Sequence, residues 1–167
     1  GETVIMTNGY QVSALENIPD SHVILFNLDA NGASGREVWS SSFFIPGHAP
    51  VLAMQPLYVI DDATGNNNGR IDPGETVLIT ITALNEGSAD AYNVSATLSC
   101  SSEFVSINNS PLIYGDLPAN GNTNGSFEVS IAETVPTGQA VSFVFDMQED
   151  MGVAGQGDFV EYIGQIP

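Results

Sequence analysis

Apolar and polar residues alternate with period two along most of this chain. Val77, Ile79 and Ile81 alternate with Thr76, Thr80 and Thr82, and Leu78 is the one apolar residue on that second face. Val94, Ala96, Leu98 and Cys100 alternate in the same way with Ser95, Thr97 and Ser99. In an extended strand successive side chains point to opposite faces, so this pattern places one set in a core and the other near solvent. β-Branched and aromatic residues fill these runs, which suits a half-buried pleated surface. Turn-forming clusters separate them: Asn85-Glu86-Gly87-Ser88, Pro118-Ala119-Asn120-Gly121 and Thr137-Gly138. No window carries a helical stripe. The pattern predicts an all-β fold, an antiparallel sandwich with strands near 57–61, 76–84, 91–100, 103–114, 126–132, 139–147 and 158–163.

An internal repeat organises these strands. Tyr10-Gln11-Val12-Ser13-Ala14-Leu15-Glu16-Asn17-Ile18-Pro19 returns without a gap as Phe127-Glu128-Val129-Ser130-Ile131-Ala132-Glu133-Thr134-Val135-Pro136. The match continues from Val23–Asp29 to Ala140–Asp146, and a last strand follows in each copy, over Glu37–Ile45 and Asp158–Ile163. Residues 53–167 therefore read as a complete sandwich, and residues 1–50 as a partial β module holding only the last three strands of a second one. The joint falls at Pro46-Gly47-His48-Ala49-Pro50, where two prolines stiffen an extended link. Three strands alone leave an open edge and an uncovered apolar face. The first fifty residues are accordingly expected to add onto the complete sandwich or to pair with a second copy as a homodimer.

Charge narrows the function. Twenty carboxylates face two arginines, Arg36 and Arg70, with no lysine, for a formal net charge of -18. Neutralising phosphates takes clustered Lys and Arg, so nucleic acid is excluded as a partner, and an anionic membrane surface with it. Without lysine there is no Schiff-base chemistry and no phosphate-cradling Walker loop. The single cysteine, Cys100, has no partner for an intramolecular disulfide. No stretch approaches the ~18 consecutive apolar residues of a membrane-spanning helix, so membrane insertion is not expected. Gly1-Glu2-Thr3 starts no basic region followed by an apolar one, so no signal peptide is expected, and the chain reads as an excised piece of something longer.

One segment, Asp61 to Glu75, carries specific chemistry. Calcium loops place oxygen ligands at positions 1, 3, 5, 7, 9 and 12 around a glycine at position 6. Setting Gly69 at position 6 puts Thr64, Asn66 and Asn68 at 1, 3 and 5, the Arg70 backbone carbonyl at 7, Asp72 at 9 and Glu75 at 12. Position 1 is Thr64 rather than Asp, leaving Asp62 or Asp61 to supply the missing negative charge. With few carboxylates and no flanking helices, the loop is expected to be a structural calcium clip between two strands, binding at about 10⁻⁴–10⁻³ M. The competing reading is an Asn/Gly-rich turn whose side chains bond their own backbone.

The remaining candidates point away from catalysis. His22 lies in a turn and His48 in the linker, neither near a nucleophile or acid in sequence. Cys100 ends an alternating strand and reads as a small buried hydrophobe. Asp146, Glu149 and Asp150 make an acidic hairpin, a second cation site or more simply a solvated turn. Trp39, Phe43, Phe127, Phe143 and Phe145 are core or inter-module packing.

The run from Leu57 through Asn66-Asn67-Asn68-Gly69-Arg70-Ile71-Asp72-Pro73-Gly74-Glu75, followed by Leu84-Asn85-Glu86-Gly87-Ser88-Ala89-Asp90-Ala91-Tyr92-Asn93-Val94, resembles the Ig-like or fibronectin-like accessory modules of secreted Bacteroidota proteins, such as accompany gingipain-type cysteine peptidases. The resemblance covers about forty residues and implies an Ig-like Greek-key sandwich, a secreted or cell-surface location and an accessory role without enzymatic activity. The expected function is a spacer or adhesion module whose partners are neighbouring modules of the same polypeptide or an extracellular protein or glycan. The alternative, a carbohydrate-binding module, requires Trp39, Tyr58, Tyr92 and Tyr114 as an exposed aromatic platform. A catalytic domain would require a pocket joining His22 or His48 to Cys100 or to an acid.

Overall fold

The computed structural model describes residues 5, 7, 9–15 and 18–164. Ten strands follow one another in chain order: β1 Val23–Asn31, β2 Val38–Pro46, β3 Leu52–Asp61, β4 Thr76–Asn85, β5 Ala91–Cys100, β6 Val105–Ile107, β7 Leu112–Leu117, β8 Asn122–Ile131, β9 Gln139–Gln148 and β10 Ala154–Ile163. No helix among the described residues is long and apolar enough to cross a membrane. Eight strands form two four-stranded antiparallel sheets, in the orders β3-β4-β8-β6 and β10-β9-β5-β7. The chain passes repeatedly from one sheet to the other, which is the Greek-key, Ig-like arrangement.

Alternation explains which faces meet. Val77, Ile79, Ile81 and Ala83 of β4 are buried, and so are Val141, Phe143, Phe145 and Met147 of β9. Phe127 of β8 crosses the gap to meet Phe145 edge-on at 6.0 Å, and Phe143 stacks on Phe159 at 5.0 Å. Each fully buried ring stabilises the fold by roughly 1.5–3 kcal/mol relative to an exposed one. The sheets close along one side where β10 approaches β3. There the Tyr58 ring lies 4.1 Å from that of Phe159, and its hydroxyl donates to the Glu161 carboxylate. Burial, with that carboxylate beside it, pushes the Tyr58 phenol well above its ordinary value. Gly155 and Gly157 make the approach possible, since a Cβ on Gly155 would run into the Leu52 carbonyl and one on Gly157 would lie 2.6 Å from the Met54 Cβ.

The structure corrects the expected strand map in three places. The single strand expected over 103–114 is two: β6 pairs with β8, and β7 pairs with β5 in the opposite sheet. Asn108 and Asn109 turn their side chains to β8 between them, and the chain changes sheets through Pro111. Secondly, β3 begins at Leu52 and β10 at Ala154, each several residues earlier than the alternation suggests. Thirdly, the described residues of the N-terminal part form two strands where three are expected. Residues 9–15 form no strand and are exposed, while Glu16 and Asn17 of the repeated segment lie outside the described residues. The matching segment in β8 is held between β4 and β6, neighbours that residues 9–15 lack.

The β1–β2 pair is a sheet of its own and adds a strand to neither side of the sandwich. Its apolar side chains are largely open: Trp39 is 57% exposed and Phe43 52%. Cys100 is half-buried against the core rather than enclosed in it.

Candidate functional site: the Asn/Gly loop and the linker junction

The loop between β3 and β4 is organised by two carboxylates acting as backbone acceptors. Asp62 is 2% exposed, and its Oδ2 accepts from the amides of Asn68 (2.7 Å) and Gly69 (3.2 Å). Glu75 Oε1 accepts from the Asn66 amide (2.9 Å) and Oε2 from the Asp72 amide (3.1 Å). The Asp72-Pro73-Gly74-Glu75 segment is a tight turn, closed by the Glu75 amide on the Asp72 carbonyl, with Gly74 at φ 83°. Proline presets the second position of such a turn, and the third requires the left-handed conformation that glycine adopts without strain. Ile71 anchors the loop from below, buried in the core with its carbonyl accepting from the Gly164 amide.

Of the calcium ligands expected from the sequence, the structure gathers three. The side-chain amides of Asn66 and Asn68 both reach Asp72 Oδ2, at 2.7 and 2.6 Å. Thr64, Asp62, Glu75 and Asp61 face the protein. The Thr64 hydroxyl donates to the Thr76 carbonyl, while Asp62 and Glu75 hold backbone amides, and Asp61 caps the Ala63 amide. Among the described residues no three His, Cys, Asp or Glu side chains stand close enough together to hold a metal. Asn66, Asn68 and Asp72 thus meet as two amide donors on one carboxylate oxygen. A side-chain amide presents oxygen instead of nitrogen after a half-turn about its terminal bond.

A second constellation, which sequence spacing could not reveal, lies where the linker crosses the sandwich. Asn85 is buried, and its side chain serves five main-chain partners. Its Oδ1 accepts from Val51 and Gly87, and its Nδ2 donates to the carbonyls of Ala89, Leu117 and Pro118. Gly87 lets the linker pass, because a Cβ there would overlap the Ala49 carbonyl. The turn then grips the segment before β1: the Ser88 hydroxyl donates to Asp20 Oδ1, which also accepts from the Ala49 amide at 3.0 Å. These bonds, Ser88 first and the Ala49 amide next, hold the Asp20 carboxyl down at about 2.

His48 Nδ1 lies 2.6 Å from the same Ser88 oxygen, so an acid, a hydroxyl and an imidazole stand in a row. The order is wrong for a nucleophile. An activating imidazole must accept the hydroxyl proton, whereas here the carboxylate accepts it and the ring is left to donate. The row is a tie between segments distant in sequence. His22 forms no part of it; it is exposed, and its carbonyl accepts from Gly47.

The aromatic platform is not assembled. Tyr114 is buried, its hydroxyl donating to the Ile81 carbonyl at 3.1 Å, with burial raising its phenol well above the ordinary value. Tyr58 is engaged with Phe159 and Glu161, which leaves Trp39 and Tyr92 exposed. In the acidic hairpin, Glu149 is 4% exposed and accepts from the Val153 amide, and Asp150 accepts from the Asn93 side chain. These carboxylates shape a turn.

Fold and junction together define an Ig-like antiparallel β-sandwich module with an N-terminal hairpin held through its linker. No protein-family model and no curated protein matches the sequence. Among solved structures, the sporulation control protein Spo0M of Bacillus subtilis aligns over 70% of this chain and 50% of its own, at 13% identity and a TM-score of 0.42. This chain thus spans about half the length of Spo0M. AvmM, described as catalysing macrocyclization in alchivemycin A biosynthesis, aligns over 71% of this chain and 90% of its own, at 10% identity and a TM-score of 0.44. The ASH/PapD-like domain 7 of human CEP192 aligns over 98% of both chains, at 12% identity and a TM-score of 0.35. No activity follows from likenesses this distant.

Proposed function

We propose that this chain is a non-catalytic Ig-like spacer or adhesion module of a larger secreted or cell-surface protein. The observation that supports it is the docked linker. Asn85, Gly87 and Ser88 fix the main chain of residues 49–51 and the Asp20 carboxylate to one end of the sandwich. A spacer must set the direction of its neighbour, and a linker bonded along its length does so where a free one would not. The test is excision of residues 51–164 from the parent polypeptide. Activity of the neighbouring domains on small soluble substrates is expected to persist, while surface display or adhesion falls. Loss of small-substrate turnover would overturn the spacer reading.

Within the same reading the β3–β4 loop is a weak calcium clip held by Asn66, Asn68 and Asp72, with Asp62 and Glu75 adding charge. The convergence of loop positions 3, 5 and 9 on one point supports it. A ligand at ten times its Kd stabilises by about 1.4 kcal/mol. Millimolar calcium should accordingly raise the melting temperature by several degrees over chelator, and an unchanged melting curve removes the clip.

A further inference from the structure

The β1–β2 hairpin is a structural twin of β9–β10. Phe26 and Phe43 are direct cross-strand partners stacked at 5.1 Å with 10° between their planes; Phe143 and Phe159 are partners stacked at 5.0 Å with 15°. Three residues along, Asp29 pairs with Ser40 and accepts its hydroxyl proton at 2.5 Å; Asp146 pairs with Gln156 and accepts from its amide at 2.6 Å. Counted outward from the aromatic pair, β1 falls on residues 140–148 and β2 on residues 154–162, the bounds of β9 and β10 to within one residue. What differs is cover. Phe159 is 8% exposed beneath the β3-β4-β8-β6 sheet, whereas Phe43 is 52% exposed. On this face Leu28, Trp39, Phe43 and Ile45 are exposed, with Ile24 and Phe26 half-buried beside them.

We infer that this face is the docking surface for the earlier strands of a second Ig-like module of the same polypeptide, whose last two strands are β1 and β2. The inference rests on reading the chain as part of a modular protein. Residues 1–22 are too few to be those strands, since the ones preceding the twin hairpin occupy residues 52–131. The counterparts of Gly155 and Gly157 are Trp39 and Ser41, so any strand covering this face sits farther off than β3 does from β10. A second copy is the competing occupant, and size argues against it. Two nine-residue strands present a face of only about 30 by 10 Å, small against the ~800 Å² that each partner of a stable separate complex buries. Tethering removes that shortfall by raising effective concentration. The strands also suit enclosure, for Asp29 is their only charged residue in a chain of net charge -18.

Amide hydrogen exchange on two proteins tests this: the 167-residue chain, and the natural polypeptide extended by about 100 residues, one module, ahead of β1. In the shorter chain the β1–β2 amides should exchange at least about 100-fold faster than those of β9–β10, and in the extended chain the two hairpins should come level. Phe43→Ser in the extended chain should lower the midpoint of the added module and leave the transition of residues 52–163 in place. Fast exchange of β1–β2 beside a well-protected extension would overturn this inference alone. Protected β1–β2 in the shorter chain, with a dimer mass by light scattering, would also overturn it in favour of a second copy. An extension with no slowly exchanging β-core would overturn the modular reading and this inference together.

Discussion

The two hairpins share strand length, register, aromatic stack and even the aspartate that accepts across the strands, yet one is a core and the other a surface. Hairpin geometry is local: alternation, cross-strand pairing and a short loop suffice to set it. Burial belongs to whatever lies opposite. In β9–β10 that is the β3-β4-β8-β6 sheet, admitted to close range by Gly155 and Gly157. The identical aromatic pair should therefore carry very different energies in its two settings.

The largest expected effect breaks the pair directly. Phe143→Ala removes a fully buried ring from between two sheets and should cost about 3–5 kcal/mol in urea unfolding. Phe43→Ala should cost less than about 1 kcal/mol in the same 167-residue chain, because about half of that ring is already exposed. Equal losses would mean that the N-terminal hairpin is covered in solution after all.

Next comes the closure itself. Gly155→Ala forces a methyl onto the Leu52 carbonyl and should destabilise by about 1–3 kcal/mol. Ser41→Gly, at the counterpart of Gly157 in the uncovered hairpin, should stay within about 0.5 kcal/mol. If Gly155→Ala is neutral in denaturant titration, β10 and β3 approach less closely than the structure shows.

A smaller effect lies in the β3–β4 loop, where carboxylates hold backbone amides. Asp62→Ala leaves the Asn68 and Gly69 amides without their acceptor and should cost about 1–2 kcal/mol with calcium chelated. Loss only in the presence of calcium would assign Asp62 to the ion rather than to the backbone.

Much of this was legible in the sequence because alternation is a local signal. The buried faces of β4, β5 and β9 read directly from Val77-Ile79-Ile81, Val94-Ala96-Leu98 and Phe143-Phe145. The change of sheet at Asn108 to Pro111 is hidden inside the single strand expected over 103–114, because nothing local marks it. The β3–β4 loop was legible as a segment and less so as a site. Its spacing brought Asn66, Asn68 and Asp72 together but could not show that Asp62 and Glu75 face backbone amides. Least legible was the junction. Asp20, His48 and Ser88 lie far apart along the chain and meet only because Asn85 and Gly87 seat the linker between them.

That junction gives the smallest effect, and the one that tests what ties the uncovered hairpin to the covered sandwich. Asp20 is held at about 2 in the folded chain by Ser88 and the Ala49 amide, below the ~3.9 of a free aspartate. A carboxyl whose folded value is depressed binds its proton more readily when released. Its contribution is therefore full above about pH 4 and is lost as pH falls through about 2. Amides of residues 47–49 should lose protection across that window while those of β4 and β9 keep theirs, so the loosening is confined to the joint. Ser88→Ala removes the leading donor, so the Asp20 carboxyl should titrate closer to 3.9 by carbon NMR and the joint should open at higher pH. Asp20→Asn, which cannot ionise, should flatten the acid dependence altogether. If the protection of residues 47–49 follows pH unchanged in both variants, some other contact fixes the hairpin to the sandwich.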